Sequence, residues 1–476
     1  MGWIRLVENQ QRVRQALLQG YVDEVVVCNT NCFDKMAGAM YELGYWQDLE
    51  LIETDLEKDN DDVPNELLFR ELAVLPLLRI ANPHQAPAFL FQDHGVLRFL
   101  GFTLKDIREG FNQKGVRSSE GKERMRPHHR DDLYNALKAV KVESLEAFRR
   151  AHITSLFRHK VVEGGVYAID GTGISGTDYK LVIMQNLTAQ KHFVVNWRVQ
   201  GPGSELTAGK EMVEEVLEIA GVEAISLLLI DGGYVDGAWL AGLKLRGIDG
   251  MVRVYEDMAI YQEMLELSRF PEHTFQPHRY TSYEQGKKAL REVELALFWG
   301  LQEWDSCRES MQKAEGTEGS WPGLWGFLVR EWVEEKGEKK QITWGVVSTR
   351  ELKSRVSGFD QWRGRWVVEN NGFRELNQGA WLEKEKWGRS EAAIKTGIYL
   401  KIGAHNCYCL LNTRLGERLA VKGLRGLQQK LWRGTPPWIM VVVGGQYGLF
   451  TAEELVMLMG VQVKESVGLK SARQPP

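Results

Sequence analysis

Between Gly164 and Val254 the chain alternates apolar runs and turns in an order that leaves few folds open. GVYAIDGT, YKLVIMQNL and HFVVNWRVQ are rich in β-branched and aromatic residues and are separated by short polar turns, which predicts a meander of antiparallel strands. KEMVEEVLEIAGV then carries helical spacing and stops at Gly221, a residue suited to a helix end. AISLLLID follows as a nearly continuous apolar run, the pattern of a strand covered on both faces. A second helix, DGAWLAGLKLRG, leads into the strand GMVRV. Three strands, helix, strand, helix, strand is an α/β arrangement, a mixed sheet flanked by helices.

The rest of the 476 residues divides around this core. Residues 1–160 read as a helical region, with apolar spacing at Leu68, Leu72, Val74 and Leu77 and breaks at Pro64, Pro83 and Pro87. Residues 161–253 are the first part of the core and 254–343 a strand-rich insertion containing LWGFLVREW and QITWGVVST. Residues 344–433 are a second, helical part of the core, and 434–476 a C-terminal segment ending in the polar SARQPP.

Hydrophobic residues make up 43% and charged residues 26%, enough to build a large core. No stretch approaches the roughly 20 apolar residues of a bilayer span, and the N-terminus has no apolar run of signal-peptide length, so a cytoplasmic protein is expected. Five cysteines in a chain this long imply no disulfide framework. His405, Cys407 and Cys409 lack zinc-site spacing, so buried reduced thiols are expected there.

The net charge of −4 conceals strong local differences. Residues 41–80 hold 11 acidic and 3 basic residues, whereas residues 101–160 hold 14 basic and 8 acidic, and residues 361–433 hold 14 basic and 6 acidic. Phosphates respond to local charge, so the two basic segments could bind nucleic acid, and solvated helix faces are the alternative that charge alone leaves open. Within the first segment the polar stretch around residues 113–130 reads as a basic loop containing Arg124, Arg126 and Arg130.

Asp170 ends the first core strand and Asp231 the fourth, so both carboxylates fall at strand C-termini, where open α/β sheets place ligand sites. Glycines follow each: Gly171, and Gly232 with Gly233. Farther on, SGFDQWRGRWVVENNGFRELNQ reads as a helix in which Trp362, Arg365 and Glu369 share a face. An arginine one turn before a glutamate can hold a phosphate beside a metal ligand, a pairing suited to phosphoryl transfer. Taken singly, an aspartate after a strand is usually a turn former, and Arg365 with Glu369 could be a surface ion pair.

The AIDGT segment around Asp170, LLIDGGYVDGAWLAGLKLRGIDGMVRV around Asp231 and RGRWVVENNGFRELNQ around Glu369 together resemble the DDE transposases of insertion sequences, in the family-four branch with an RNase H-like core. The resemblance covers about residues 160–410, the 254–343 region standing where those enzymes carry a strand-rich insertion before the glutamate. It implies that Asp170, Asp231 and Glu369 are the catalytic residues and bind two divalent ions, Mg²⁺ with Mn²⁺ able to substitute, and that the segment from Trp362 to Asn377 contacts the transposon end. One ion would activate water or a 3′-hydroxyl and the other stabilise the leaving oxygen. The implied partners are double-stranded DNA, as transposon end and target, and a second copy of the chain, with a location on the nucleoid.

The family's Tyr-Arg-Glu-Lys signature has tyrosine where this chain has Trp362, while Arg365 and Glu369 match. Its lysine falls near Leu376 or Asn377, because ENNGFREL carries one extra residue, and Arg374 or Asn377 is then the substitute. Trp362, Arg363, Arg365, Arg374 and Asn377 are the expected DNA contacts near the acids, with Arg124, Arg126 and Arg130 at a distance. Asn370, Asn371 and Gly372 are poor helix formers, so a kink after Glu369 is expected. Two other readings compete with this one. IDGT resembles part of an aspartyl phosphatase motif, but the nucleophilic position two residues before Asp170 holds Ala168. A non-catalytic DNA-binding regulator derived from a transposase would have little reason to keep all three acids.

Overall fold

The computed structural model describes residues 10–28, 32–59, 62–111, 127–188, 192–203, 205–284, 287–315, 321–335, 338–366, 368–380, 382, 386–421, 423–434 and 437–459. Among these, the strands in chain order are β1 (Glu24–Cys28), β2 (Gly165–Gly173), β3 (Lys180–Asn186), β4 (Val194–Gln200), β5 (Ile225–Ile230), β6 (Asp249–Val254), β7 (Gln276–Glu284), β8 (Lys287–Leu301), β9 (Leu324–Glu335), β10 (Glu338–Ser348), β11 (Trp438–Val443) and β12 (Gln446–Phe450). The chain divides into two compact units, Val162–Phe373 and Met1–Val161 with Arg374–Pro476.

The Val162–Phe373 unit is built on one nine-stranded sheet in the order β4-β3-β2-β5-β6-β10-β9-β8-β7. The meander β2-β3-β4 is antiparallel, while β5 runs parallel to both β2 and β6. Parallel neighbours need crossover connections, and the helices Glu205–Ala220 and Gly237–Leu245 supply them. In β5, ISLLLI buries every residue except Ser226, which is why its sequence is apolar without alternation. The first five strands, β4-β3-β2-β5-β6, with their helices are an RNase H-like core. β10 pairs antiparallel with β6, Gly345 level with Val254, so the strands of the 254–343 region and their continuation lengthen the core sheet rather than closing into a sheet of their own. The helices Ala259–Leu267 and Asp305–Glu315 also belong to that region.

In the other unit the helix Glu391–Leu415 is central. Its alanines, glycines and cysteines let the helices Phe33–Glu42, Asn65–Leu77, Arg130–Lys138 and Val142–Arg158 pack around it. Cys407 and Cys409 are buried there outside any disulfide, Cys409 Sγ lying 3.4 Å from His405 Nε2, and Cys28, Cys32 and Cys307 are likewise buried and not in disulfides. The segment Glu24–Cys28, expected to be part of a helical region, is a strand instead. Its three valines pair with β11, Val26 opposite Met440, a partner from the far end of the sequence that no local pattern reveals. Helix Gln10–Leu18 and helix Ala452–Met459 cover one face of this three-stranded sheet through Val13, Leu17, Val441, Phe450 and Leu455. No helix among the described residues is long and apolar enough to cross a membrane.

Candidate active site

β2 and β5 are adjacent and in register, Ile169 level with Ile230, so Asp170 and Asp231 come next on neighbouring strands. β5 stops just before Asp231, but β2 runs on to Gly173, so Asp170 lies within its strand, paired with Ile183 of β3, and not at the strand end expected from the sequence. Asp231 opens a short turn, Gly232–Tyr234, and the ring of Tyr255 lies against Gly232 so closely that a Cβ there would come within 2.8 Å of it. Asp170 Oδ1 accepts a hydrogen bond from the N–H of Gly171 at 2.8 Å.

Arg365 spans the pair. Its Nη1 donates to Asp170 Oδ2 at 2.9 Å and its Nη2 lies 3.8 Å from Asp231 Oδ1. The arginine side chain is only 4% exposed, against 14% for Asp170 and 35% for Asp231, so the guanidinium is seated inside and the carboxylates lead outward. Trp362 is buried beneath it, with the guanidinium carbon 5.5 Å from the ring centroid. Trp362 thus acts as the platform for Arg365 rather than as an exposed face of its own.

The segment carrying Arg365 departs from the expected single helix. Helix Arg355–Arg363 stops, Gly364, Arg365 and Val368 each donate to the carbonyl three residues back, and a π-helical segment, Val368–Phe373, precedes a new helix, Arg374–Ala380. Trp362, Arg365 and Glu369 therefore do not follow one regular α-helical face. A π turn holds one residue more than an α turn, which gives the extra residue in ENNGFREL its place. Asn370, Asn371 and Gly372 favour that departure because they gain little from α-helix. The π segment packs against β2, and Val368 is buried. The side chain of Glu369 lies outside the described residues. Among the described residues no three carboxylate, imidazole or thiol groups gather as a ready metal site.

The remaining expected contacts are dispersed. Arg363 stacks on Tyr280 at 3.8 Å from the ring centroid and lies near Trp366 and Phe359, which ties it to β7. Arg374, exposed, and Asn377, half-buried, belong to the other unit of the chain. Arg130 begins helix Arg130–Lys138, with its Nη1 3.3 Å from His84 Nε2. Arg124 and Arg126 lie outside the described residues.

Two oxygens at the site suit a hard divalent ion. Asp231 Oδ1 is shut from solvent and accepts no hydrogen bond, and Asp170 Oδ2 is met by a cation already, so the pair is a set of oxygen donors seeking positive charge. Three further residues, with no signal in the sequence, gather around Gly171 and the two aspartates. Glu205 sits against Gly171, Lys180 Nζ donates to Glu205 Oε1 at 2.6 Å, and the Tyr234 hydroxyl lies 3.5 Å from Glu205 Oε2. Burial, followed by the charges of Glu205, Asp170 and Asp231, pushes the Tyr234 phenol well above its ordinary range. A glutamate in the first turn of a helix reads as a favourable charge at the helix dipole, which hid Glu205.

A comparison with curated proteins gives no match. Residues 163–407 match the family described as the transposase DDE domain, a span that runs from the start of β2 past the π segment and into the helix Glu391–Leu415. That match covers more than half of the sequence and includes Asp170 and Asp231, and the chain belongs to the transposase DDE domain family.

Proposed function

We propose that this chain cuts and joins DNA at the ends of an insertion sequence of the family-four type, with Asp170, Asp231 and Glu369 as its catalytic acids. The observation that carries the reading is the pair of aspartates side by side on adjacent parallel strands, Asp170 within β2 and Asp231 just after β5, bridged by one buried arginine. Divalent ions, Mg²⁺ by preference for oxygen ligands and Mn²⁺ in its place, supply when bound the acidification of an attacking water or 3′-hydroxyl and charge stabilisation at the leaving oxygen. Asp170 and Asp231 would hold them through oxygens fixed by strand register. Glu369, whose backbone lies in the segment packed on β2, is the third acid that the family match and its sequence position support.

The chain's own part in the chemistry is binding and orientation. Arg365 offers a fixed, planar fork of donors to a phosphate oxygen, and its seat on Trp362 means that little side-chain freedom is lost when it does so. Arg363, held face-on against Tyr280, keeps its in-plane N–H groups for phosphate, since aromatic stacking uses only the face of the guanidinium. Arg124, Arg126, Arg130, Arg374 and Asn377 are assigned to the DNA backbone outside the scissile position. A pair of such chains on the two element ends, at the nucleoid, completes the reading.

The test is a nicking assay on duplex DNA bearing the native element ends, with Mg²⁺ and then with EDTA. Mg²⁺-dependent nicks at the element boundary, followed by joining to a target duplex, are expected. Tight binding of the ends without cleavage in either Mg²⁺ or Mn²⁺ would favour the regulator reading and reject this one.

A further inference from the structure

Glu205 lies where a fourth carboxylate can act on the aspartate pair without belonging to it. Side chains alternate along β2, so the space left by Gly171 opens on the face opposite Asp170. Glu205, the first residue of helix Glu205–Ala220, fills that space so closely that a Cβ on Gly171 would collide with its Oε2. Lys180, level with Gly173 on the neighbouring β3, reaches the same face and pairs with Glu205 Oε1 at 2.6 Å. The helix can approach this near because Gly209, one turn on, abuts the Tyr234 ring, 2.9 Å from where a Cβ would stand. Tyr234 is itself 1% exposed, and its hydroxyl feels the charges of Glu205, Asp170 and Asp231 together. The phenol is therefore the common neighbour of three carboxylates, Asp170 on β2, Asp231 just after β5, and Glu205 on the helix.

A carboxylate that touches no metal still attracts it through the intervening protein, and a lysine beside that carboxylate cancels part of the attraction. We infer that Glu205 is a positioning residue whose charge raises the affinity of the Asp170–Asp231 site for divalent cations, and that Lys180 sets how much of that charge the site feels. The inference rests on the metal-dependent reading above. It assigns the two ends of one ion pair opposite effects, which a simple structural brace would not produce.

The experiment is a titration of Mn²⁺ into the full chain without DNA, with free Mn²⁺ read by electron paramagnetic resonance. Glu205→Gln keeps the shape and hydrogen-bonding capacity of the side chain and removes its charge, and should weaken binding on the order of 5- to 10-fold. Lys180→Met should strengthen it by roughly 3-fold or more. Asp170→Asn, as the marker of the site itself, should abolish it. Circular dichroism confirms that each variant is folded, and should Glu205→Gln fail to fold, the sign of the Lys180→Met effect decides alone. Affinities of Glu205→Gln and Lys180→Met equal to wild type, or shifted in the same direction, overturn the inference while a silent Asp170→Asn keeps the site. Undiminished binding by Asp170→Asn overturns the site and the inference with it.

Discussion

Two cation–carboxylate contacts of nearly equal length lie in the two units of this chain, and they differ in almost everything else. In the unit formed by both ends of the sequence, His128 Nε2 meets Glu71 Oε2 at 2.7 Å, with Asp132 3.2 Å from the other ring nitrogen. Both of those side chains are wholly shut from solvent, and the imidazole packs against Phe91 and Phe102. In the Val162–Phe373 unit, Arg365 meets Asp170 at 2.9 Å, but both aspartates there lead outward and the cation is shared between them. The first pair is sealed, so its charges can only stabilise each other. The second keeps partial contact with water, Asp170 at 14% and Asp231 at 35% exposure, and leaves Asp231 Oδ1 without a hydrogen bond. A short ion pair is thus no sign of function by itself, and it is the open side that separates a site from a brace.

The largest effect is expected at the sealed pair. His128→Leu leaves Glu71 buried without its cation and should cost about 3–5 kcal/mol in urea unfolding. Burial works to lower the His128 pKa, but the Glu71 charge and the hydrogen bonds to Asp132 and Glu71 outweigh it and push the pKa up to about 10. A pKa raised on folding gives stability that is complete below the ordinary value near 6.5 and is lost as pH rises through about 10. Wild-type stability should therefore fall between those limits by more than that of His128→Leu, and parallel pH profiles would show that the pair is not charged.

Arg365→Gln should behave in the opposite manner. Unfolding free energy should fall by about 1–3 kcal/mol, less than at His128, because Asp170 and Asp231 keep 14% and 35% of their side-chain surface in water. Cleavage of element-end DNA should drop roughly 100-fold, the scale of losing one preorganised charge partner at a reacting phosphate. Near-parental cleavage would make Arg365 a brace like His128.

The smallest effects are expected at two neighbouring glycines. Gly232→Ala puts a Cβ within 2.8 Å of the outer end of the exposed Tyr255 ring, which can swing aside, and should cost about 1 kcal/mol, whereas Gly233→Ala meets nothing within 4 Å and should stay within about 0.5 kcal/mol. Equal costs would mean that Tyr255 does not rest on the Asp231 turn.

What could be read in the sequence follows from how local each feature is. The runs VYAID and SLLLID announce strands by composition alone, and parallel pairing of β2 with β5 then sets Asp170 beside Asp231. β1 escaped notice because EVVVC is short and its partner lies more than 400 residues away. The union of β10 with β6, which continues the core sheet into the insertion, is invisible for the same reason. Around Glu369 the helical spacing was misleading: Gly364 and the Asn-Asn-Gly run change the local winding, so regular periodicity places side chains wrongly from Arg363 onward. Glu205 carried no signal because its role depends on a missing side chain in a different strand, at Gly171.

The central claim is that Asp170, Asp231 and Glu369 share one metal site, and it can be tested without any DNA. Fe²⁺ loaded in place of Mg²⁺ generates hydroxyl radicals with ascorbate and peroxide, and these cut the backbone next to the residues holding the ion. The account predicts three groups of cuts, at the C-terminal ends of β2 and β5 and within Val368–Phe373, all suppressed by excess Mg²⁺ and all absent in Asp170→Asn. Cuts at the two strand ends alone, with none in Val368–Phe373, would contradict the place given to Glu369.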